Sequence, residues 1–133
     1  MLIEKNIQRL FGQLANQGFV VVPLQGSDIL MRLIDETSKL SLTTLVYEGR
    51  NYIPRSVREC LSRRSPIFQP GILTFLTVDE SQFEVRLNYL GRIESVGVEE
   101  LQSLLEEFSA IAEKWRLYLD DHDKHDLVHV RVK

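Results

Sequence analysis

The sequence has little of what would mark a secreted, membrane-spanning or nucleic-acid-binding protein. One cysteine among 133 residues cannot form an internal disulfide bond, which fits a reducing, cytoplasmic setting. No apolar run approaches the roughly 20 residues of a membrane span. We expect no signal peptide, because Glu4 and Arg9 interrupt the apolar pattern of the first residues. The net charge of −3 argues against nucleic acid as the main partner.

Catalytic motifs are also missing from the sequence. It contains neither of the glycine-rich phosphate-binding patterns and no GxSxG nucleophile elbow. Cys60 is the only thiol, and a buried packing role is favoured over catalysis because it lies on the apolar side of a predicted helix. Adjacent helical residues point about 100° apart, so the carboxylates of Glu99–Glu100 and Glu106–Glu107 do not converge. We therefore expect neither enzymatic activity nor a cofactor.

Three histidines lie close together near the end of the chain. His122, His125 and His129 are surrounded by aspartates, and imidazole and carboxylate groups are ligands for divalent metals. Metal ligands must be held in place, however, and this segment has little apolar sequence with which to form a core. We interpret residues 121–133 as a polar tail, either an edge strand or disordered, and we predict no metal site.

The residues that are present have the composition of one soluble globular domain. They are 44% hydrophobic and 26% charged, so the burial of apolar surface can offset the loss of chain entropy. Apolar residues at three- and four-residue spacing predict helices over residues 2–17, 54–64 and 98–119. Alternating apolar residues predict strands over residues 19–24, 40–48, 72–79 and 83–93. Residues 29–36 fit either a helix or the return strand of a hairpin.

The order of these elements predicts an α+β fold. With residues 29–36 as a strand, the order is α-β-β-β-α-β-β-α, which is typical of a mostly antiparallel sheet flanked by helices. We assign residues 1–120 to a single domain of this kind.

Two features of the pattern point to contacts with other chains. Residues 72–78 are apolar on both faces of their strand, which predicts that both faces are covered. The surplus of apolar surface fits either an interface or a well-packed monomer. Residues 50–64 contain five arginines and one glutamate, a local charge of +4, which forms either a solvated helix face or a contact for an acidic protein. The candidate contacts for an acidic partner are Arg55, Arg58, Arg63 and Arg64.

Taken together, these elements resemble the class I chaperones of type III secretion, the family of CesT and SycE. The resemblance covers residues 1 to about 120. It rests on the element order and on the small, mildly acidic single domain. It also rests on the opening helix EKNIQRLFGQL, which ends at Gly18, and on the closing helix VEELQSLLEEFSAIAEKWRLYL. The closing helix, with Phe108 and then Lys114-Trp115-Arg116, is most similar to chlamydial members.

The resemblance implies a cytoplasmic bacterial protein without enzymatic activity. Such chaperones dimerise and bind the N-terminal region of a secreted protein, which wraps around them in extended form and stays soluble and competent for secretion without the use of ATP. For this chain the resemblance implies an effector or gatekeeper protein as the partner. It also implies a homodimer, or a heterodimer with a second chaperone subunit.

The resemblance also implies where the contacts lie. It places effector contacts on the first helix and the early strands, at Ile7, Leu10, Phe11, Leu14, Phe19 and Val21. It places the dimer contact on the middle helix and the fourth strand, at Val57, Cys60, Leu61, Leu73 and Phe75. The arginine-rich middle helix and the tail after Asp120 depart from the family pattern. An alternative function is therefore regulatory, with the arginine-rich helix binding another cytoplasmic protein such as a component of the transcription machinery.

Overall fold

The fold follows the predicted order of helices and strands. A computed structural model describes residues 4–24, 26–34, 39–49, 52–62, 72–92 and 97–132. The helices are α1 (Glu4–Gln17), α2 (Arg55–Ser62) and α3 (Val98–Val132). The strands are β1 (Phe19–Leu24), β2 (Ser27–Ile34), β3 (Lys39–Glu48), β4 (Thr74–Asp79) and β5 (Glu84–Arg92). The predicted α+β class and the antiparallel sheet are confirmed.

Helix α1 ends at a glycine, as its sequence predicts. Gly18 has a φ of 79°, a left-handed conformation that is least costly for a residue without a Cβ. Its amide donates a hydrogen bond to the Leu14 carbonyl at 2.8 Å, which closes the last turn of the helix. The chain therefore passes directly from α1 into β1.

The five strands form one antiparallel sheet in the order β1-β2-β3-β5-β4. Residues 29–34 are part of β2, which pairs with both β1 and β3, so the strand interpretation of this segment is the correct one. Strands β1 and β4 are the edges of the sheet. Pro23 lies in β1, in agreement with the rule that proline within a sheet is confined to edge strands, strand starts and bulges.

One face of the sheet is covered by helices and forms the core. Helices α1 and α3 pack on this face, and α2 packs against α3. The inward side chains alternate along each strand, as a period of two residues requires. The largest fully buried side chains are Phe108, Leu14, Ile29, Met31, Leu40, Leu42, Leu87, Leu101, Leu105, Leu119 and Val22.

Strand β3 departs from strict alternation near its end. Its register against β5 shifts between Leu45 and Tyr47. An extra residue in one strand rotates the residues that follow it. Val46 and Tyr47 are consequently both buried, at 2% and 7% exposure, although the alternating pattern predicts that they face opposite sides.

Polar contacts attach the first hairpin to α3. The Ser109 hydroxyl, which is fully buried, donates to the Leu24 carbonyl at 3.3 Å. The Arg116 guanidinium donates to the Ser27 hydroxyl at 2.5 Å. The turn between β1 and β2 is therefore held by side chains that are more than 80 residues away in the sequence.

Helix α3 is longer than its sequence pattern predicts. The buried apolar stripe runs from Leu101 to Leu119 as expected, but the helix continues to Val132. For residues 121–133 we predicted an edge strand or disorder, and the structure differs because residues 121–132 are helical. The physical reason is that residues 98–132 contain neither glycine nor proline, so no residue in this segment interrupts a helix.

Strand β4 differs from the prediction that both of its faces are covered. Leu73 is 83% exposed, Phe75 is 50% exposed and Val78 is 40% exposed, so the prediction is wrong for the single chain. Strand β4 lies at the edge of the sheet, away from the strands on which α1 and α3 pack. Leu76 is half-buried against the core, but no residue of β4 is fully buried.

Candidate protein-binding surfaces

The sheet face opposite the helices joins residues from all five strands into one surface. In the described part of the chain no helix packs on this side, and we call it the open face. The register places Val21, Leu30, Thr43, Asn88 and Phe75 side by side, one from each strand. Because neighbouring strands lie about 4.8 Å apart, this row crosses about 19 Å. A second row runs alongside it: Phe19, Arg32, Ser41 and Leu90.

Five apolar residues of the open face form two areas. We call Phe19, Val21 and Leu30 the β1 area, and Leu73 and Phe75 the β4 area. Between the two areas, β3 and β5 carry mostly polar side chains, and the apolar exceptions are Leu45 and Leu90. The Asn88 amide, for example, donates to the Thr77 hydroxyl at 3.0 Å and so has its hydrogen bond within the sheet. The two areas can therefore receive different partners.

The predicted effector-contact residues do not form one surface. Leu10 and Leu14 of α1 are buried in the core, at 9% and 1% exposure, and Phe11 is half-buried against it. The two predicted residues of β1 lie on the other side of the sheet and are exposed. The side chain of Ile7 lies outside the described residues. The buried residues of α1 thus pack the core, and the exposed members of this set, among those whose side chains are described, are Phe19 and Val21.

The predicted dimer residues are divided in the same way. Val57 and Cys60 of α2 are buried, at 0% and 2% exposure, and Leu61 is half-buried against the core. Leu73 and Phe75 are exposed. The helix residues of this set stabilise the fold of the single chain, whereas the two residues at β4 offer an uncovered apolar surface.

The arginines of α2 are engaged by carboxylates of the same chain. Arg55 pairs with Glu59 at 3.2 Å, one turn along the helix. The two terminal nitrogens of Arg58 donate to the two carboxylate oxygens of Glu80 at 3.0 and 2.8 Å, and its Nε donates to the Ile53 carbonyl at 3.1 Å. Two of the predicted arginine contacts lie outside the described residues: Arg63 and Arg64. The described arginines therefore do not form an unneutralised basic patch.

The contact between Arg58 and Glu80 shifts the titration of both groups. Hydrogen bonding to the Arg58 guanidinium lowers the pKa of the Glu80 carboxyl, and the same hydrogen bonds raise the pKa of Arg58. The pair is solvent-exposed, so its electrostatic effect is screened. Its geometry nevertheless links α2 to the turn between β4 and β5.

The turn between β4 and β5 is fixed by an aspartate side chain. One carboxylate oxygen of Asp79 accepts hydrogen bonds from the Ser81 hydroxyl at 2.6 Å, the Ser81 amide at 3.0 Å and the Gln82 amide at 3.3 Å. The hydroxyl bond is the largest cause of a lowered pKa for Asp79. Phe83 completes the turn with a φ of 58°. The β4–β5 hairpin therefore ends in an ordered turn.

The outer edge of β4 presents backbone groups that β5 does not use. The Gly49 amide donates to the Phe83 carbonyl at 2.8 Å, which shows that Phe83 faces β3. Since antiparallel pairing alternates, the odd residues of β5 bond to β3 and the even residues bond to β4. The β4 residues whose amide and carbonyl groups then point outwards are Thr74, Leu76 and Val78. An edge of this kind, without proline, is a template for pairing with another chain.

Two apolar residues of the open face were not identified from the sequence. Leu30 was hidden by the ambiguity between helix and strand over residues 29–36. Leu90, at 45% exposure, lies on the same face of β5 as Glu84, Arg86 and Asn88. These three residues are polar, so the sequence pattern indicates a polar face. The pairing of neighbouring strands would have revealed both residues, but a single strand does not contain that information.

The described residues show no further chemical site. Among them, no group of three or more histidine, cysteine, aspartate or glutamate side chains could hold a metal ion. Cys60 is buried. None of the helices in the described part of the chain is long and apolar enough to cross a membrane.

Solved structures with the same arrangement of helices and strands come from type III secretion. One is a chain from the complex of the Yersinia pestis type III secretion chaperone SycH with a stable fragment of YscM2. It has a TM-score of 0.55 and 13% identity, and the match covers 85% of this chain and 99% of that chain. The chain has the fold of a type III secretion chaperone. Two further matches with this chaperone fold come from the ExsC–ExsE complex and the HopA1–SchA chaperone–effector complex.

These two matches are similar in extent to the first. The chain from the ExsC–ExsE complex gives a TM-score of 0.64 at 17% identity, covering 90% of this chain and 97% of that chain. The chain from the HopA1–SchA complex gives a TM-score of 0.59 at 16% identity, covering 84% and 88%. No protein-family model matches the sequence, and no curated protein matches it either. The chaperone fold is thus recognised through structure.

Proposed function

We propose that this protein is a cytoplasmic type III secretion chaperone without enzymatic activity. It binds the N-terminal region of a secreted effector or gatekeeper protein in extended form and keeps that client soluble and competent for secretion. The observation that carries the proposal is the open face, a five-stranded surface with exposed apolar residues in the fold of these chaperones. A large uncovered apolar surface on a folded chain marks an interaction site.

The β1 area is the proposed client contact. Phe19 and Val21 are half exposed and lie beside Leu30 on the open face. The client segment buries these side chains, and the area that it covers offsets the entropy lost when the segment becomes ordered. Leu10 and Leu14 support this surface from the core rather than contacting the client.

The β4 area is the proposed dimer contact. Leu73 and Phe75 are exposed, and the outward backbone groups of Leu76 lie at the centre of the β4 edge. A second copy meeting this edge antiparallel about Leu76 would pair Thr74 with Val78 and would place its side chains beside those of β4 on both faces of the sheet. The charges of Arg55 and Arg58 are already paired with Glu59 and Glu80 of the same chain. This pairing supports a homodimer over a heterodimer with an acidic subunit, because such a subunit would find little unpaired positive charge on α2.

Client capture tests the proposed function. Tagged full-length protein is purified from the bacterium that makes it, and the co-purifying proteins and the native mass are determined. We expect a dimer bound to one secreted protein, and we expect that protein to become insoluble when the chaperone gene is deleted. A monomer without a secreted partner would contradict the proposal.

Matched variants separate the open face from the rest of the surface. Val21→Asp should abolish client capture, because a carboxylate is placed in the β1 area. Leu117→Asp is the control, since Leu117 is 65% exposed on α3 and lies away from the open face. Arg55→Glu tests the alternative regulatory function through α2, and under the proposal it leaves client capture unchanged.

A further inference from the structure

The last turns of α3 carry all three histidines of the chain. The structure describes side chains of α3 as far as Asp121 and its helical backbone as far as Val132. The absence of a metal-binding group noted above holds for the described side chains. From the sequence we expected no metal site, because a disordered tail or an edge strand does not hold these ligands in place. The helical backbone removes this objection.

Helical spacing places the three histidines on one face of α3. Successive residues of an α-helix are rotated by about 100°, so His122, His125 and His129 fall within about 60° of one another. Asp126 lies about 40° from His122, on the side away from His125. We call these four residues the histidine face. Each of them has another member of the set three or four positions away, which is one turn of the helix.

The spacing of His125 and His129 is the one at which two histidines of a single helix bind zinc. Residues four apart are neighbours on a helix surface, with Cβ atoms about 5–6 Å apart. The same four-residue spacing gives the two zinc ligands of helices with the pattern HExxH. His122 and Asp126 are also four apart, but this pair contains only one imidazole. The pair of His125 and His129 is therefore the better site on this face.

The chemistry of the face selects the kind of metal. Imidazole nitrogen suits zinc, copper and nickel, whereas magnesium and calcium prefer carboxylate, carbonyl and water oxygens. Residues 120–126 contain four aspartates and one lysine, and this excess of negative charge raises the local concentration of cations. The aspartates attract any cation, and the two histidines determine which cation stays.

A metal at this place would act on a part of the helix that lies beyond the described core. Leu119 is the last buried residue among the side chains that the structure describes. The helix continues for 13 residues, or about 20 Å, to Val132. An ion that links two residues one turn apart binds only the helical form and so stabilises it. The distal turns of α3 would thus be held by the ion.

We propose that the histidine face of α3 binds one divalent transition-metal ion, with His125 and His129 as its protein ligands and water completing the coordination. This inference goes beyond the chaperone function, since the site needs neither a client nor a second subunit. The ion orders the end of α3 and leaves coordination positions open.

Calorimetry with zinc chloride and the untagged full-length protein tests the site. We expect one zinc ion per chain at submillimolar concentration. His125→Gln and His129→Gln should each weaken zinc binding by at least about tenfold, since even a change behind the ligands of a metal site has this effect. His122→Gln is the matched control: it removes an imidazole from the same face but not from the pair, and it should leave zinc binding nearly unchanged. No binding by the wild type would overturn the inference.

An exchange of two neighbours tests the spacing at constant composition. Lys124→His combined with His125→Lys keeps three histidines and the net charge, but the histidine at residue 124 is then five positions from His129 and on another face of the helix. This double variant should lose as much zinc affinity as His125→Gln. Equal binding by the double variant and the wild type would show that spacing is irrelevant, which contradicts a helical site.

Competition with magnesium separates the histidines from the aspartates. Magnesium chloride in about a hundredfold excess should not displace zinc, because magnesium prefers oxygen ligands. Displacement would assign the binding to the carboxylates and overturn the inference.

Amide exchange shows whether the bound ion holds the helix. The amide of His129 should exchange roughly tenfold more slowly when free zinc is about ten times its dissociation constant, because the ion binds only the helical form. The double variant at the same zinc concentration is the control and should show no slowing. Unchanged exchange at His129 in the zinc-saturated wild type would contradict a site that links two turns of α3.

Discussion

Gly49 shows at the scale of single residues how closely the chain is packed where β3 ends. Its amide donates to the Phe83 carbonyl at 2.8 Å, and a Cβ built at this position would overlap the carbonyl oxygen of Tyr52. The obstacle is backbone, which cannot rotate away as a flexible side chain can. We predict that Gly49→Ala lowers the free energy of unfolding by about 1–3 kcal/mol, the usual cost of overpacking. Chemical denaturation measures this change.

Gly12 provides the matched control for this substitution. It lies in the middle of α1, and a Cβ there would meet no atom within 4 Å. Alanine is the better helix former, so Gly12→Ala should raise the free energy of unfolding by about 0.5–1 kcal/mol. Opposite signs for the two substitutions are expected, and a similar loss for both would contradict the packing argument.

Residue identities alone predicted the core better than the surface. The spacing of apolar residues correctly indicated which side of α3 is buried, because a helix has only one apolar stripe to bury. It could not indicate that Leu14 fills the core while Phe19, five residues later, is exposed on the opposite side of the sheet. Both are large apolar residues, and their difference arises from the position of α1 relative to β1.

At the scale of elements, one pair of side chains links α2 to the β4–β5 hairpin. Glu80 accepts two hydrogen bonds from Arg58 at 2.8 and 3.0 Å, which lowers the pKa of Glu80 below its usual 4.5. The stabilisation from this pair is therefore complete above about pH 4.5 and is lost as the pH falls through the lower pKa of the folded state.

We predict that Glu80→Gln removes this part of the acid dependence of stability. The denaturation midpoint of the variant should lie slightly below that of the wild type at pH 6, and the two midpoints should converge as the pH approaches 3. Denaturant titrations over this range measure the difference. Glu59→Gln, which breaks the exposed contact with Arg55 within α2, is the control. If the midpoints of Glu80→Gln and the wild type diverged as the pH fell, the assignment of this acid dependence to the Arg58–Glu80 pair would be refuted.

The helices and strands themselves were largely predictable from the sequence, whereas their register and their place in the sheet were not. The spacing of apolar residues identified α1, α2 and four of the five strands. All of these elements except β4 have a buried face. The shift between Leu45 and Tyr47 in β3 depends on the register against β5, which no single strand encodes. The exposure of Phe75 is also not encoded in one strand. The sequence of β4 is apolar on both faces, as in a buried strand, and its exposure follows from its place at the edge of the sheet.

At the scale of the whole molecule, the β4 edge makes a prediction about assembly. Phe75 is exposed on β4 and Leu73 is exposed just before it, and the outward amides of β4 have no partner strand in the described part of the chain. We predict that Phe75→Asp and Leu76→Pro each convert the proposed dimer to a monomer, because the first places a charge in the apolar contact and the second removes a central backbone donor. Sedimentation equilibrium measures the mass.

Leu117→Asp is the control for these assembly variants, since it places the same charge on an exposed leucine of α3. It should leave the proposed dimer intact. A wild-type protein that is monomeric at micromolar concentration would contradict the proposed β4 contact, as would dimers that persist in both β4 variants.

The alternation along the strands separates residues that face the core from residues that face away from it, and these two sets of residues can evolve at different rates. Inward residues such as Met31 and Leu42 must fit the helices, whereas their neighbours Leu30 and Thr43 face away from the core. Substitutions at every second strand position can thus follow a changing partner without disturbing the packing. We therefore expect the outward strand positions to be those at which related chains differ most.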